Sequence, residues 1–301
     1  MYPSFSFNPE AKQFKPSDKV KKIYEASKID LSDLQPKLWW DPKNPAKPIW
    51  KDFNLVKPSE NTDEDGEING SNYNDYIPGT NRDETINGFH GSDLIYGGDG
   101  NDRLYGDCLR HRPTDGVDTV YGGRGNDTIR ADYAYGQEGD DVLYAPHFGG
   151  AYLDGGIGND RLIGAQERDT LVGGVGNDYL KGGSDSDTMT GGRGVDHFVV
   201  GQGNDHLHGI SRDLITDFDN IGDRIQFHVV SSRNLSYQDL DFAFNAAGSL
   251  VVSTDVELID DDQRRRVSGD LAEIQGLNSS VGLEQQIEYT GNGVIELIAA
   301  L

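Results

Sequence analysis

The sequence predicts an all-β protein whose central part is a parallel β-roll, a solenoid of two facing sheets with 18 residues per coil. The main observation is a nine-residue pattern that occupies residues 97–105 and returns at 122–130, 155–163, 173–181 and 191–199. Each copy begins with six residues rich in Gly, Asn and Asp, which is typical of a turn, and ends with three residues that suit a short strand. Two strand–turn units therefore make one coil.

The pattern reads Gly-Gly-x-Gly-x-Asp-x-U-x, where U is a large apolar residue. Because side chains alternate along a strand, U points to one face and its two neighbours point to the other. Stacked coils should then have a core that is one side chain thick. The predicted core residues are Ile77, Ile86, Ile95, Leu104, Val120, Ile129, Leu143, Leu153, Leu162, Leu171, Leu180, Met189, Phe198 and Leu207.

The sixth-position residues should line two edges of the roll, since residues nine apart lie on opposite edges and residues 18 apart stack. We interpret residues around 107–114, 131–135 and 145–148 as insertions in this repeat. The predicted first edge consists of Asp75, Asp93, Asp118, Asp141, Asp160, Asp178 and Asp196. The predicted second edge consists of Glu84, Asp102, Asp127, Ala151, Asp169, Asp187 and Asp205.

Columns of carboxylates at one-coil spacing would repel one another, which indicates bound cations. The chain carries 51 acidic and 27 basic residues, for a formal net charge of -24. Carboxylate oxygens and the carbonyl oxygens of the Gly-rich turns are ligands that Ca²⁺ prefers, whereas the pattern contains no ligand for a soft metal. The sequence therefore predicts that several Ca²⁺ ions are the cofactors.

The five strong copies resemble the RTX, or hemolysin-type calcium-binding, family over about residues 70–227. The resemblance implies that sixth-position aspartates and turn carbonyls of stacked coils share Ca²⁺. The implied carboxylate ligands are Asp75, Asp93, Asp102, Asp118, Asp127, Asp141, Asp160, Asp169, Asp178, Asp185, Asp187, Asp196 and Asp205. The implied turn residues are Gly98, Gly100, Gly123, Gly125, Gly156, Gly158, Gly174, Gly176, Gly183, Gly192 and Gly194. We expect weak or absent sites beside Ala151, Glu84 and the degraded turn 164–168.

The remaining sequence predicts three further segments. Residues 1–60 form an arm with a short helix from Ser17 to about Ile29 and a Pro- and Trp-rich extended part, and residues 61–69 form an acidic linker. The roll itself is assigned to 70–227. Residues 228–301 form a small β-rich cap with a hairpin around 245–249. The apolar end at 293–301 suits either an uncleaved carboxyl-terminal secretion signal, as the resemblance implies, or a last strand or helix on the roll.

Composition excludes several functional classes. The negative charge argues against nucleic acid as a partner. The sequence contains no run of about 18 apolar residues, so we expect no membrane span. Neither a His-Glu-x-x-His motif nor a Gly-x-Ser-x-Gly elbow occurs, so we expect no protease or lipase activity, and no catalytic residues are assigned.

Three functions remain open. The family resemblance implies an extracellular or cell-surface protein that the type I secretion machinery exports, and we expect it to act in adhesion, cell-surface or matrix interaction with a glycan or a surface protein. A second hypothesis is a carbohydrate-binding accessory module that uses a face formed by Tyr96, Tyr121 and Tyr144, unless the arm covers that face. A third is a small toxin or effector whose active part is the arm.

Overall fold

The computed structural model describes residues 53–58, 67–107, 116–200, 213–218, 223–228, 240–247, 249–260, 263–275, 287–289 and 294–298. The arm at 1–52, including the predicted helix, lies outside these residues, and so do Asp205 and Leu207. Nothing in the described ranges forms a helix of the length and apolarity that a membrane crossing requires.

The described regular structure consists of β-strands. In chain order they are β1 (Asn54–Leu55), β2 (Ile68–Asn69), β3 (Asp75–Pro78), β4 (Thr85–Phe89), β5 (Leu94–Asp99), β6 (Arg103–Asp107), β7 (Thr119–Arg124), β8 (Thr128–Arg130), β9 (Tyr133–Glu138), β10 (Val142–Tyr144), β11 (Tyr152–Ile157), β12 (Arg161–Ile163), β13 (Thr170–Val175), β14 (Tyr179–Lys181), β15 (Thr188–Arg193), β16 (His197–Val200), β17 (Asp213–Ile215), β18 (Arg224–His228), β19 (Leu240–Phe244), β20 (Leu250–Asp260), β21 (Gln263–Ile274), β22 (Ile287–Tyr289) and β23 (Val294–Ile298).

Strands of the repeat region alternate between two parallel sheets. The odd sheet contains β1, β3, β5 and so on to β17, and the even sheet contains β2, β4, β6 and so on to β18. Each strand pairs in parallel with the strand one coil away, for example Leu153 with Leu171 in the odd sheet and Leu162 with Leu180 in the even sheet. The predicted parallel β-roll is confirmed.

The core is one line of apolar side chains between the sheets. Every predicted core residue in the described ranges, from Ile77 to Phe198, has no exposed surface. Ala134 joins them, and Phe218 and Ile225 extend the core beyond Phe198. A Gly-rich chain that buries one apolar side chain per strand removes little apolar surface per coil, so hydrophobic burial alone provides limited stability.

The interpretation of 131–135 as an insertion is wrong. Strand β9 pairs with β7 and β11 so that Ala134 lies between Val120 and Leu153, which makes Ala134 an eighth-position residue and Asp132 a sixth-position residue. This coil is short, because Asp118 and Asp132 are 14 residues apart where the regular repeat has 18. An apparent insertion is therefore a full strand preceded by a shortened turn.

Because this coil is short, the sixth-position residues after it lie on the opposite edges from those predicted. Asp141, Asp160, Asp178 and Asp196 follow Glu84, Asp102 and Asp127, not Asp118 as predicted. On the other edge, Ala151, Asp169 and Asp187 continue the line of Asp75, Asp93, Asp118 and Asp132. The predicted membership of the two edges is correct before residue 131 and reversed after it.

Strands beyond the repeats cover the ends of both sheets. The predicted hairpin exists: β19 and β20 are antiparallel, and the Asn245 N–H donates to the Ser249 carbonyl at 2.9 Å. Strand β21 continues the odd sheet beside β17, and β23 runs antiparallel to β18 in the even sheet. These strands occupy the edges that the last coil would otherwise leave open to pairing with other chains.

Candidate metal centre

Each edge of the roll carries a column of sixth-position residues, one immediately before or at the start of each strand. The odd column consists of Asp75, Asp93, Asp118, Asp132, Ala151, Asp169, Asp187 and Asp213. The even column consists of Glu84, Asp102, Asp127, Asp141, Asp160, Asp178, Asp196 and Asp223. Most of these aspartates are at most 2% exposed, so the columns lie inside the protein.

Hydrogen bonds between coils fix one oxygen of each carboxylate. The Asp93 N–H donates to Asp118 Oδ1 at 2.8 Å, and the Asp141 N–H donates to Asp160 Oδ1 at 2.8 Å. The same bond recurs along both columns. Each aspartate thus positions the backbone of the coil before it, which makes the carboxylate part of the fold as well as a candidate ligand.

The second oxygen of most column aspartates has no hydrogen-bond partner and is buried. This holds for Oδ2 of Asp93, Asp102, Asp118, Asp127, Asp141, Asp160, Asp178 and Asp187. An unpaired buried carboxylate oxygen is costly, and such groups call for an ion or another compensating partner. A regular row of them fits Ca²⁺, whose ligands are oxygens, and these residues would hold the ions at the turns.

The turn glycines leave space for these oxygens and bring carbonyls close. A Cβ atom on Gly122, a first-position glycine, would overlap Asp127 Oδ2. A Cβ on Gly123 or Gly125 would overlap a carbonyl oxygen of the turn one coil below. All eleven glycines predicted as turn ligands have positive φ, and Asp185, which replaces a fourth-position glycine, has φ 66°. The turns therefore stack closely, and carbonyl oxygens lie in the same regions as the free carboxylate oxygens.

Burial acts against the charge on these carboxylates. It raises the pKa of Asp178 to about 8, despite the lowering effect of its hydrogen bond from the Asp160 backbone. Burial, followed by repulsion from Asp213, raises the pKa of Asp187 to about 9. Without a cation, the columns are thus driven towards protonation near neutral pH, and a divalent ion would restore the charged form.

Three column residues differ, because their second oxygen bonds within its own turn. The Ser71 N–H and hydroxyl donate to Asp75 Oδ2 at 2.6 and 2.8 Å, and the Ala165 N–H donates to Asp169 Oδ2 at 2.7 Å. The Thr80 N–H donates to Glu84 Oε2 at 2.9 Å. Asp75 still has one buried oxygen, Oδ1, without a hydrogen-bond partner. At Glu84 and Asp169 fewer oxygens are free for a cation, and Ala151 has no carboxylate. The expectation of weak sites beside these three residues stays a prediction.

Fifth-position residues form a second ladder that the sequence reasoning missed. The Asn126 N–H donates to Asn101 Oδ1 at 2.7 Å, and the Asn177 N–H donates to Asn159 Oδ1 at 2.9 Å. The recurring Asn before Asp in four of the five strong copies was the available signal. Asp107 and Asp132 were also missed: the first occupies a glycine position, and the second stood in the supposed insertion.

The predicted tyrosine face is corrected by the register. Tyr96, Tyr121 and Tyr135 stack on the odd sheet, with ring centroids 4.9 and 4.8 Å apart and planes within 10° of parallel. Tyr144 belongs to the even sheet, where the Arg130 guanidinium lies 5.7 Å from its ring. Tyr121 is only 6% exposed, so its ring faces contact neighbouring tyrosines instead of solvent.

The fold and these columns define a calcium-binding parallel β-solenoid. A comparison with protein families agrees: the RTX calcium-binding nonapeptide repeat, a profile of four copies, matches residues 78–107, 114–145, 154–189, 163–198 and 190–209. The repeat region of this chain therefore belongs to the RTX calcium-binding repeat family. A search of curated proteins gives no significant match.

Proposed function

We propose that the chain is a non-catalytic extracellular scaffold that folds when it binds Ca²⁺ and then serves in adhesion, cell-surface or matrix interaction. The row of buried, unpartnered Oδ2 atoms carries this proposal, because the roll is complete only when something neutralises them. At about 1 mM Ca²⁺ and a Kd of about 0.1 mM, each occupied site would add about 1.4 kcal/mol of stability. At cytosolic calcium this contribution nearly vanishes, which suits export of an unfolded chain by type I secretion.

Removal of calcium tests the folding role. In EGTA, far-UV circular dichroism should lose strand signal and size-exclusion chromatography should show an expanded chain. Excess Ca²⁺ should restore both, whereas the same concentration of Mg²⁺ should not, because Mg²⁺ demands octahedral geometry and dehydrates reluctantly. A chain that is equally compact and equally rich in strand with and without calcium would contradict the proposal.

The outward face of the even sheet supports an acidic polysaccharide as the partner. Between β4 and β18 the outward positions of the described strands carry Arg103, Arg130, Arg161, Lys181 and Arg224, and the acidic residue of the same alternation, Asp107 at the end of β6, is buried. Arg161 lies 4.1 Å above the ring of Tyr179, which holds its guanidinium in place. On a chain with net charge -24, this concentrates positive charge on one surface. Flat basic and aromatic surfaces complement carboxylated sugars.

Binding to hyaluronate, a carboxylated polysaccharide that calcium does not gel, tests this partner. The calcium-loaded protein should bind immobilised hyaluronate, more weakly as salt rises. The double variant Arg103→Ala, Arg161→Ala should bind roughly three- to tenfold more weakly, since each exposed ion pair is worth up to about 1 kcal/mol. Arg82→Ala removes an exposed arginine in a turn off this face and should bind as the wild type does. Equal loss in both variants would indicate nonspecific attraction.

The tyrosine face supports a neutral-glycan module less well. A stacking platform needs exposed ring faces, whereas Tyr121 lies between Tyr96 and Tyr135. Binding of a neutral oligosaccharide that is lost in Tyr96→Ala but retained in the Arg103/Arg161 double variant would favour this second function.

A further inference from the structure

One turn of the odd column departs from the repeat. Only Ala131 and Asp132 separate β8 from β9, so this coil is four residues short of the regular spacing of 18, as the 14-residue interval between Asp118 and Asp132 records. The first four turn positions, including the glycines, are missing there. Beside Asp118 the short turn therefore cannot supply the glycine carbonyls that the regular turns bring close to their carboxylates.

Three carboxylates converge at this place. One oxygen from each of Asp107, Asp118 and Asp132 lies within 4.8 Å of the other two. All three residues are buried, with exposed fractions of 8%, 0% and 8%. Asp107 is the last residue of β6 and takes the place of the second glycine in the turn that leads to Asp118. It is therefore not a member of either column.

Asp118 supplies a second and independent observation. Its Oδ1 accepts the Asp93 N–H at 2.8 Å, whereas its Oδ2 is buried and has no hydrogen-bond partner. A Cβ atom on Gly106 would lie 2.5 Å from that Oδ2, so the unpartnered oxygen points to the segment that carries Asp107. A fully buried carboxylate oxygen is thus aimed into the cluster without a donor.

We propose that Asp107, Asp118 and Asp132 form an additional Ca²⁺ site built from three carboxylates, separate in kind from the glycine-carbonyl sites of the repeats. This inference rests on the proposed calcium-dependent role of the chain. Three oxygens within 4.8 Å of one another need lie no more than about 2.8 Å from an ion placed between them, so small side-chain adjustments bring all three to a Ca–O distance of about 2.3–2.6 Å. Calcium affinity rises with the number of charged ligands, and we expect this ion to bind at least about tenfold more tightly than those at the repeats.

Ion counting by equilibrium dialysis with ⁴⁵Ca²⁺ on the full chain tests the site. At saturating calcium, Asp107→Asn should bind one ion fewer than the wild type, and the ion lost should be the one that the wild type retains at the lowest free calcium. Asp132→Asn should lose the same ion, while its amide oxygen still accepts the Asp118 N–H. Asp107→Glu keeps the carboxylate and should keep the ion.

Asp83→Asn is the control, because Asp83 is an exposed fifth-position residue outside both columns, and the Asn that recurs at this position keeps an oxygen for the Asn101 N–H. It should bind as many ions as the wild type. If Asp107→Asn keeps the full count, the cluster shares a proton instead of an ion and the proposal is overturned. If Asp107→Asn does not regain its strand signal at saturating calcium, the number of ions bound by Asp132→Asn tests the proposal instead. A wild type that binds no calcium would instead overturn the proposed function.

Discussion

Glycines in the turns of the roll are required for two different physical reasons. Gly123 and Gly125 have positive φ and stand against carbonyls of the turn below, so both the backbone angle and the space exclude a side chain. Gly122 lacks a positive φ, and there the neighbouring Asp127 Oδ2 and the Gly136 carbonyl oxygen exclude a Cβ. The first glycine of each copy therefore protects a candidate calcium ligand, whereas the second and fourth shape the turn.

Substitution of Gly122 and Gly149 separates these two roles. Gly149 has φ 88°, and the nearest atom to an added Cβ is Asp132 Oδ1 at 3.9 Å, so Gly149→Ala should cost about 1–2 kcal/mol through the backbone alone. Gly122→Ala should displace the Asp127 carboxylate, with an overpacking cost of about 1–3 kcal/mol and a lower calcium count at saturation.

Thermal unfolding and ⁴⁵Ca²⁺ dialysis of both variants measure these effects. Gly149→Ala should bind as many ions as the wild type. Full calcium occupancy in Gly122→Ala would show that Asp127 Oδ2 is not a ligand.

At the scale of the element, one shortened turn decides which residues face each other. The strand β9 begins with Tyr133-Ala134-Tyr135, and the Gly-Gly-x-Gly turn of the regular repeat does not precede it. The alternation of its side chains places Ala134 in the core and Tyr135 beside Tyr121. Because the prediction treated β9 as an insertion, it assigned Tyr144 to the wrong sheet and assigned every later sixth-position residue to the opposite edge.

The ladders give each turn a stabilising role that does not depend on hydrophobic burial. A sixth-position carboxylate accepts an N–H of the preceding coil, and a fifth-position amide or carboxylate accepts an N–H of the following coil, as Asn159 does for Asn177. Bonds in both directions join successive turns. They hold the free carboxylate oxygens at a constant position from coil to coil.

At the scale of the whole molecule, the roll places unpaired charge inside a strongly acidic chain. Burial raises the pKa of Asp127, Asp141 and Asp160 to about 8 each, well above the ordinary aspartate value near 3.9. Calcium and protons therefore compete for the same oxygens. Protonation should therefore stabilise the metal-free roll, as bound ions stabilise the calcium-loaded roll.

The pH dependence of the metal-free protein follows from the sign of these shifts. The folded state binds more protons than the unfolded state between about pH 4 and pH 8, so stability is present at the acidic end and is lost as pH rises through this window. In chelator-treated buffer, the strand signal and melting temperature should be higher at pH 5 than at pH 8. At saturating calcium this dependence should be much weaker, because bound ions then stabilise the folded carboxylates in place of protons.

Circular dichroism melts at both pH values, with and without calcium, measure this difference in pH dependence. A metal-free chain that melts higher at pH 8 would contradict the assignment of buried, unpaired carboxylates.

The repeat alone determined the class of fold, the core and the chemistry of the columns, because a nine-residue period with Gly, Asp and one apolar residue at constant positions leaves few ways to fold. Ile95, Leu162 and Met189 are buried for that reason, and Asp93, Asp102 and Asp178 line the edges for the same one. Only the tertiary structure decided the register through the short coil, the meeting of Asp107 with Asp118 and Asp132, and the basic face of the even sheet. Local pattern specifies which way a side chain points within its own coil, but the neighbour that it meets depends on the exact length of every turn between them.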